Sequence, residues 1–174
     1  MADRRPEIPS WAFINAQIIQ DAERSGALAA SVRRVEQGYS LPAGSFRVIN
    51  SAYMVSLLYC MIVVPKELWL RTTLPPEIAK LESSILPLII VTQHSSQFEG
   101  NPLFTLLRHL RNALSHVRFE IADNGDFSFW DQSNESAAPS FRATMSVATL
   151  EKFLSVVGAA LANLRTSKGD GSLH

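Results

Sequence analysis

The chain has 174 residues, of which 47% are hydrophobic and 18% charged, so it can bury a core and is not an intrinsically disordered protein. Sixteen basic and sixteen acidic side chains cancel, which argues against a protein that coats nucleic acid by bulk attraction but permits a local basic site. The single cysteine excludes an internal disulfide and a cysteine-rich metal site.

No internal repeat or low-complexity linker divides the sequence. We predict one domain over residues 1–174, with an extended arm at residues 1–9 and a flexible tail at residues 166–174. The first residues lack the apolar core of a signal peptide, and Cys60 within an apolar run is interpreted as a buried small hydrophobic residue. We therefore expect a reducing, cytoplasmic location.

The N-terminal part of the chain predicts two helices. Ser10 can cap a helix of residues 11–24, and residues 27–37 form a second helix that ends at Gly38. The apolar side of the first helix consists of Trp11, Ile14, Ile18 and Ala22.

The most apolar segment runs from Phe46 to Val64, with Ser45 as its predicted cap. It is hydrophobic nearly all round, as expected for a central helix, a dimer-interface helix or a membrane span, and its length is about that of a bilayer crossing. Polar side chains within it, and the lack of a second comparable segment, favour burial in protein. Pro65 is expected to end or kink the helix.

Residues 66–100 predict shorter elements. A helix can start at Pro76-Glu77 and hold residues 78–86, Pro87 bends the chain that follows, and residues 95–100 form a polar loop.

Residues 101–117 predict a strongly amphipathic helix, with Asn101 as its cap and Pro102 in its first turn. Its apolar side consists of Leu103, Leu106, Leu107, Leu110, Ala113, Leu114 and Val117. Its other side has no acidic residue and consists of Arg108, His109, Arg111, Asn112, Ser115 and His116. A solvated helix face usually mixes charge signs. This side instead gathers residue types that bind and cleave phosphate esters.

Arg111 and His116 also admit a structural interpretation, as cations near a helix C-terminus that interact with the helix dipole. Their directions differ by roughly 140° on an ideal helix, with Asn112 between them. His116 falls at the helix end, where the backbone can turn it toward the arginine.

The spacing of the apolar residues changes after His116. In residues 118–131, apolar and polar side chains alternate, which predicts a β-hairpin that turns at Asn124-Gly125. The acidic residues of this segment are scattered by the alternation, so we predict no metal site there. The Trp130 side chain either packs within the hairpin or stacks on a nucleic-acid base, and packing is favoured.

The C-terminal part predicts one strand and one helix. Residues 141–146 can add a third short strand, and the last helix starts at Ser146 or Thr149. The core-facing side of that helix consists of Val147, Leu150, Leu154, Val157, Leu161 and Leu164.

The segment Arg111-Asn112-Ala113-Leu114-Ser115-His116 resembles the signature of the HEPN superfamily, in which an arginine is followed by four to six residues and a histidine near the end of a core helix. The resemblance covers roughly residues 46–165. It implies a mainly α fold, a HEPN-like bundle of about six helices. The predicted β-hairpin would be a small insertion after the motif helix of this bundle. Many members are metal-independent endoribonucleases of toxin–antitoxin and defence systems, and they usually form dimers in which two motifs share one cleft.

The resemblance also implies roles for individual residues. His116 would be the general base or acid, Arg111 would bind phosphate oxygens, and Asn112 would orient His116 or the phosphate. Further RNA contacts would come from Arg108, His109 and Arg118. No cofactor and no metal would be needed, and the expected partners are RNA, a second copy of the chain and a cognate antitoxin protein. Two alternatives remain: a non-catalytic HEPN-like domain that binds RNA, nucleotide or a partner toxin, and a dimerisation module whose Arg and His are structural.

Overall fold

The computed structural model describes residues 7–68, 74–94 and 101–169. The helices are α1 (Ile8–Arg24), α2 (Ala29–Gly38), α3 (Ser51–Leu58), α4 (Val64–Leu68), α5 (Pro76–Ala79), α6 (Glu82–Ile85), α7 (Pro102–Ser115) and α8 (Val147–Gly169). The strands are β1 (Ile90–His94), β2 (Phe119–Ile121), β3 (Phe127–Asp131) and β4 (Phe141–Met145). A π-helical turn, Tyr59–Val63, joins α3 to α4, and a 3-10 turn, Leu86–Leu88, follows α6. The predicted mainly α class with a small β insertion is therefore confirmed.

Helix α7 is the central element and confirms the amphipathic pattern. The Asn101 side chain caps it by accepting a hydrogen bond from the backbone N–H of Phe104 at 2.9 Å. Six residues of the predicted apolar side are buried: Leu103, Leu106, Leu107, Leu110, Ala113 and Leu114. The seventh, Val117, lies beyond the end of the helix and is 73% exposed.

The apolar segment at residues 46–64 is helical over a shorter range than predicted. Asn50, not Ser45, caps α3, because its side chain accepts the backbone N–H of Tyr53 at 3.0 Å. Pro65 does not end the helix; α4 continues through it after the π-helical turn. Proline has no backbone N–H to donate to the carbonyl four residues earlier. The π-helical turn, which is wider than an α-helical turn, lies where this hydrogen bond of Pro65 would be missing. Within the described ranges, no helix is both long enough and apolar enough to cross a membrane.

Helix α1 starts at Ile8, and the predicted cap, Ser10, lies inside it with its hydroxyl donating to the carbonyl of Leu161 in α8. The residues that the sequence places on one apolar side of α1 are partly exposed: Trp11 by 37%, Ile14 by 43% and Ile18 by 61%. Phe13 and Ala16 pack toward the core instead. The side of α1 that carries Phe13 and Ala16 is buried because it packs against α8.

The sheet is antiparallel and four-stranded, in the order β1-β4-β3-β2. Strands β2 and β3 form the predicted hairpin, in which Phe119 pairs with Phe129 and Ile121 with Phe127. Gly125 has a φ of 86° in the turn, a left-handed conformation that glycine adopts without a steric cost. The predicted third strand is β4. The edge strand β1 was not predicted from residues 90–94, because a short apolar run does not distinguish a strand from a helix.

Several boundaries differ from the sequence predictions. The helix expected at residues 78–86 is divided into α5, α6 and the 3-10 turn. Helix α8 starts after Ser146, whose hydroxyl accepts the N–H of Thr149, and extends to Gly169 into the predicted tail. Residues 1–6 of the predicted arm, the loop at 95–100, residues 170–174 and the side chain of Leu164 lie outside the described residues.

Candidate functional site

The candidate site forms where the end of α7 meets strand β3. Helix α7 ends in a tight reversal: the backbone N–H of His116 donates to Asn112, and that of Arg118 donates to Ala113 at 2.8 Å. Val117 takes a φ of 55° to permit this reversal. His116 is therefore exposed at the C-cap, and Arg118 turns back toward the sheet.

A surface cleft of about 410 Å³ opens at this point. We call it the His116 cleft, and its lining includes Arg108, Asn112, His116, Arg118 and Asp131. Gln132, Ser133 and Ser140 complete the rim, with His109 on the inner side. The cleft combines two arginines with an exposed histidine, the side chains needed to bind a phosphodiester and to transfer a proton.

Asp131 organises the floor of the His116 cleft. Its buried carboxylate accepts hydrogen bonds from the side-chain amide of Asn112 at 2.9 Å and from Nδ1 of His109 at 2.8 Å. The guanidinium of Arg118 lies 3.6 Å away and also donates to the carbonyl of Gln132. One carboxylate thus fixes three polar side chains, which satisfies the need of a buried charge for partners.

The structure places His109 beneath the cleft and not on its surface. Its side chain is buried and stacks on Phe141, with ring centroids 4.6 Å apart and planes inclined by 5°. Burial lowers the pKa of His109 from its ordinary value, and the hydrogen bond and charge of Asp131 act in the opposite direction. The predicted RNA contact by His109 would have to occur across the side chains that cover it.

Arg111 lies in a neighbouring cleft. Its guanidinium forms an ion pair with Glu67 and donates to the Asn112 side-chain oxygen at 3.0 Å. This second cleft, about 560 Å³ in volume, is called the Lys66 cleft and is lined by Lys66, Glu67, Phe104, Arg108, Arg111 and Asn112. The predicted set is thus divided: Arg111 lines one cleft and His116 the other, because they point in different directions from α7.

Arg108 and Asn112 line both clefts, so the two lie side by side along α7. Asn112 also connects them chemically, because its amide accepts from Arg111 and donates to Asp131. Of the six predicted site residues, the structure brings five to the His116 cleft: Arg108, His109, Asn112, His116 and Arg118.

The sequence interpretation missed both acidic residues of the site. Asp131 could have been found from the strand pattern, since alternation places it on the same face as the buried Phe127 and Phe129. A carboxylate on a core-facing position needs a buried partner. No local signal identifies Glu67, whose role depends on how α4 approaches α7. Trp130 points to the opposite face of β3 from Asp131 and is half-buried.

The acidic residues of the hairpin do not converge on a metal position. In the part of the chain that the structure describes, no three His, Cys, Asp or Glu side chains lie close enough together to hold a metal ion.

A family model described as HEPN pEK499 p136 matches residues 10–167. No curated protein and no solved structure shows a significant match to the chain. The family match extends from α1 through most of α8 and includes both clefts, whereas the motif resemblance began near residue 46.

Proposed function

Because this chain belongs to the HEPN pEK499 p136 family, we propose that it is a metal-independent endoribonuclease that cleaves RNA in the His116 cleft. The observation that carries the proposal is the placement of the exposed His116 in one cleft with Arg108 and Arg118. An imidazole titrates near neutral pH and can transfer protons, and arginines bind phosphate oxygens in pairs of hydrogen bonds.

The proposed reaction is an internal transesterification. The ribose 2′-oxygen attacks the adjacent phosphorus, the bond from phosphorus to the 5′-oxygen breaks, and the products are a cyclic phosphate and a 5′-hydroxyl. His116 accepts the 2′-hydroxyl proton or supplies a proton to the leaving oxygen. Arg118 and Arg108 bind the non-bridging oxygens and stabilise the charge that develops on them. Asn112 keeps the arginine of the neighbouring cleft in place through its amide.

We also propose a homodimer with the motif helices near its two-fold axis. The reaction requires one group that removes a proton and another that supplies one. His116 is the exposed histidine that one chain brings to its cleft, since His109 is buried against Asp131. A second copy would supply the second imidazole, and a two-fold arrangement presents the same residues from both chains. A cognate antitoxin is the partner proposed for a toxin or defence setting.

One observation favours the second candidate, a non-catalytic domain that binds RNA or nucleotide. Arg111 is engaged by Glu67 and Asn112, so part of its charge is already neutralised. An arginine held in this way could position a ligand without stabilising a transition state.

The proposal is tested by incubating the purified protein with single-stranded RNA in EDTA and analysing the fragment ends. Cleavage should persist in EDTA, and His116→Ala should lower its rate by roughly 10²–10⁴-fold, the effect of a lost general acid or base. Arg118→Ala should lower the rate on the order of 10²–10³-fold, because Arg118 stabilises the charge that develops on the phosphate oxygens.

His94→Ala is the matched control, because this exposed histidine on β1 lies outside the lining of both clefts. It should leave the rate unchanged. Tight RNA binding with no cleavage by the wild-type protein would select the non-catalytic candidate. Cleavage that His116→Ala leaves intact would contradict the assignment of the proton-transfer group.

A further inference from the structure

The Lys66 cleft contains more positive than negative charge. Lys66, Arg108 and Arg111 line it, and Glu67 is the carboxylate among its lining residues. Lys66 is unusual because it is buried, with its ammonium 3.6 Å from the centroid of the Phe104 ring. A buried lysine carries a cost in desolvation that a protein usually avoids, so its presence beside two arginines calls for a reason.

The charges in this cleft repel one another. Burial, followed by the positive charges of Arg108 and Arg111, lowers the pKa of Lys66 from 10.5 to about 8, while Glu67 acts to raise it. In addition, Nε of Arg111 is buried and has no hydrogen-bond partner within the described residues. An anion bound in the cleft would relieve the repulsion, and a shift of the guanidinium would let Nε donate as well.

We propose that the Lys66 cleft is a second phosphate-binding subsite, which holds a neighbouring phosphodiester of the same RNA strand, and that Glu67 competes with this phosphate for Arg111. The inference rests on the proposed function of the His116 cleft. A phosphate would be bound by the ammonium of Lys66 and by two N–H groups of Arg111, and Glu67 would move away from the guanidinium.

The arrangement of the two clefts favours a continuous strand over a free small molecule. They adjoin along α7 and share Arg108 and Asn112, so a strand that leaves one cleft enters the other. Both are open and polar, whereas pockets for small molecules are usually enclosed and mostly apolar. Phe104 adds an aromatic ring to the lining, as nucleic-acid grooves that track a backbone often do.

The test measures RNA affinity by fluorescence anisotropy over a range of salt concentrations. All proteins carry His116→Ala, so that the probe, a short labelled single-stranded RNA, is not cut. Lys66→Met keeps the apolar stem over Phe104 and removes the charge, and Glu67→Gln removes the competing carboxylate. The controls are Lys152→Met and Glu151→Gln, which change exposed charges on α8 in a separate surface cleft.

Lys66→Met should reduce the steepness of the slope of log affinity against log salt concentration by about 0.7. This is the contribution of one phosphate contact to the binding of single-stranded RNA. Glu67→Gln should raise the affinity at every salt concentration, because Arg111 is then free to bind phosphate. The two control variants should match the parent protein. Circular dichroism spectra should show that all variants are folded.

An unchanged salt slope for Lys66→Met would overturn the subsite. Weaker binding by Glu67→Gln would show that Glu67 positions Arg111 and does not compete with phosphate, which would overturn that part of the proposal. Inorganic pyrophosphate that binds as tightly as the RNA probe would assign the cleft to a free phosphate compound and overturn the continuous strand. These outcomes are independent of cleavage, so failure of the proposed enzyme activity would be recognised separately in the wild-type protein.

Discussion

At the level of residues, one side chain, Asp131, connects the two clefts through Asn112. Its carboxylate contacts His109 in the interior and Asn112 and Arg118 at the cleft. Asn112 in turn contacts Arg111 in the neighbouring cleft. The positions of Asn112 and Arg118, and through Asn112 that of Arg111, therefore depend on a buried charge that lies distant in sequence. A loss of that charge would affect both clefts.

The buried His109 predicts a dependence of stability on pH. Its pKa in the folded protein is below the ordinary value of 6.5, so the unfolded chain binds more protons in the interval between the two values. Stability should therefore be fully present above about pH 6.5 and decline as the pH falls through that interval. Urea unfolding at about pH 7.5 and about pH 5.5 should show a lower midpoint at the acidic pH.

His109→Gln should reduce this acid-induced loss, although it should also lower the midpoint at neutral pH because the stacking on Phe141 is lost. His116→Gln changes an exposed histidine on the same helix and controls for the loss of one titratable group. An acid-induced loss as large in His109→Gln as in the wild type would contradict the assignment to His109.

At the level of elements, the end of α7 determines where the catalytic candidates lie. The reversal at Val117 directs the chain into β2, and the β2–β3 hairpin then returns Asp131 to the side of α7 that carries His109 and Asn112. A helix that continued beyond Ser115 would carry Arg118 away from this carboxylate. The hairpin is thus part of the site and not only an insertion.

Close packing of α1 on α8 gives a prediction for Gly158. A Cβ added there would lie 2.2 Å from Cδ2 of Phe13, a contact that requires the ring to move. Gly158→Ala should therefore destabilise the protein by about 1–3 kcal/mol, despite the better helix propensity of alanine. Thermal unfolding would measure the change.

Gly38→Ala is the matched control, because Gly38 ends α2 and an added Cβ would meet nothing within 4 Å. This variant should be neutral or slightly stabilised. A Gly158→Ala protein as stable as Gly38→Ala would show that the contact of Phe13 with α8 is loose.

At the level of the whole molecule, the apolar segment at residues 46–64 does not by itself require a partner chain. It is largely covered within its own chain, since Met54, Leu57, Leu58, Met61, Ile62 and Val63 are buried. Exposed apolar residues occur at several places, among them Ile14 and Ile18 on α1, Ile90 on β1 and Val117 beside the candidate site. The proposed composite site requires the surface at Val117.

We predict that light scattering at micromolar concentration will give twice the chain mass of 19.2 kDa. Val117→Asp should dissociate this dimer and abolish RNA cleavage, because it places charge at the proposed interface; aspartate also tolerates the positive φ of this position. Ile18→Glu, which charges the exposed side of α1, should leave the dimer intact. The opposite pattern would place the interface on α1 and contradict a site shared between two motifs.

Local signals in the sequence were sufficient for the elements whose chemistry is local. Asn101 and the leucine pattern of α7 predicted a capped amphipathic helix, and Asn124-Gly125 predicted the hairpin, because capping and turn conformations depend on a few adjacent residues. For the first helix, the pattern identified one apolar side but not which side is buried. It has apolar residues on two sides, and only its packing against α8 decides which of them is buried.

For the candidate site, the sequence by itself determined that Arg108, Asn112 and His116 share the polar side of one helix, since helical geometry fixes their directions. Only the tertiary structure decided that Arg111 and His116 occupy different clefts, that His109 is buried, and that Asp131 and Glu67 hold the arginines and Asn112. The physical reason is that these carboxylates come from β3 and α4. Contacts between distant segments arise from the packing of whole helices and strands. The spacing of residues within one segment does not predict them.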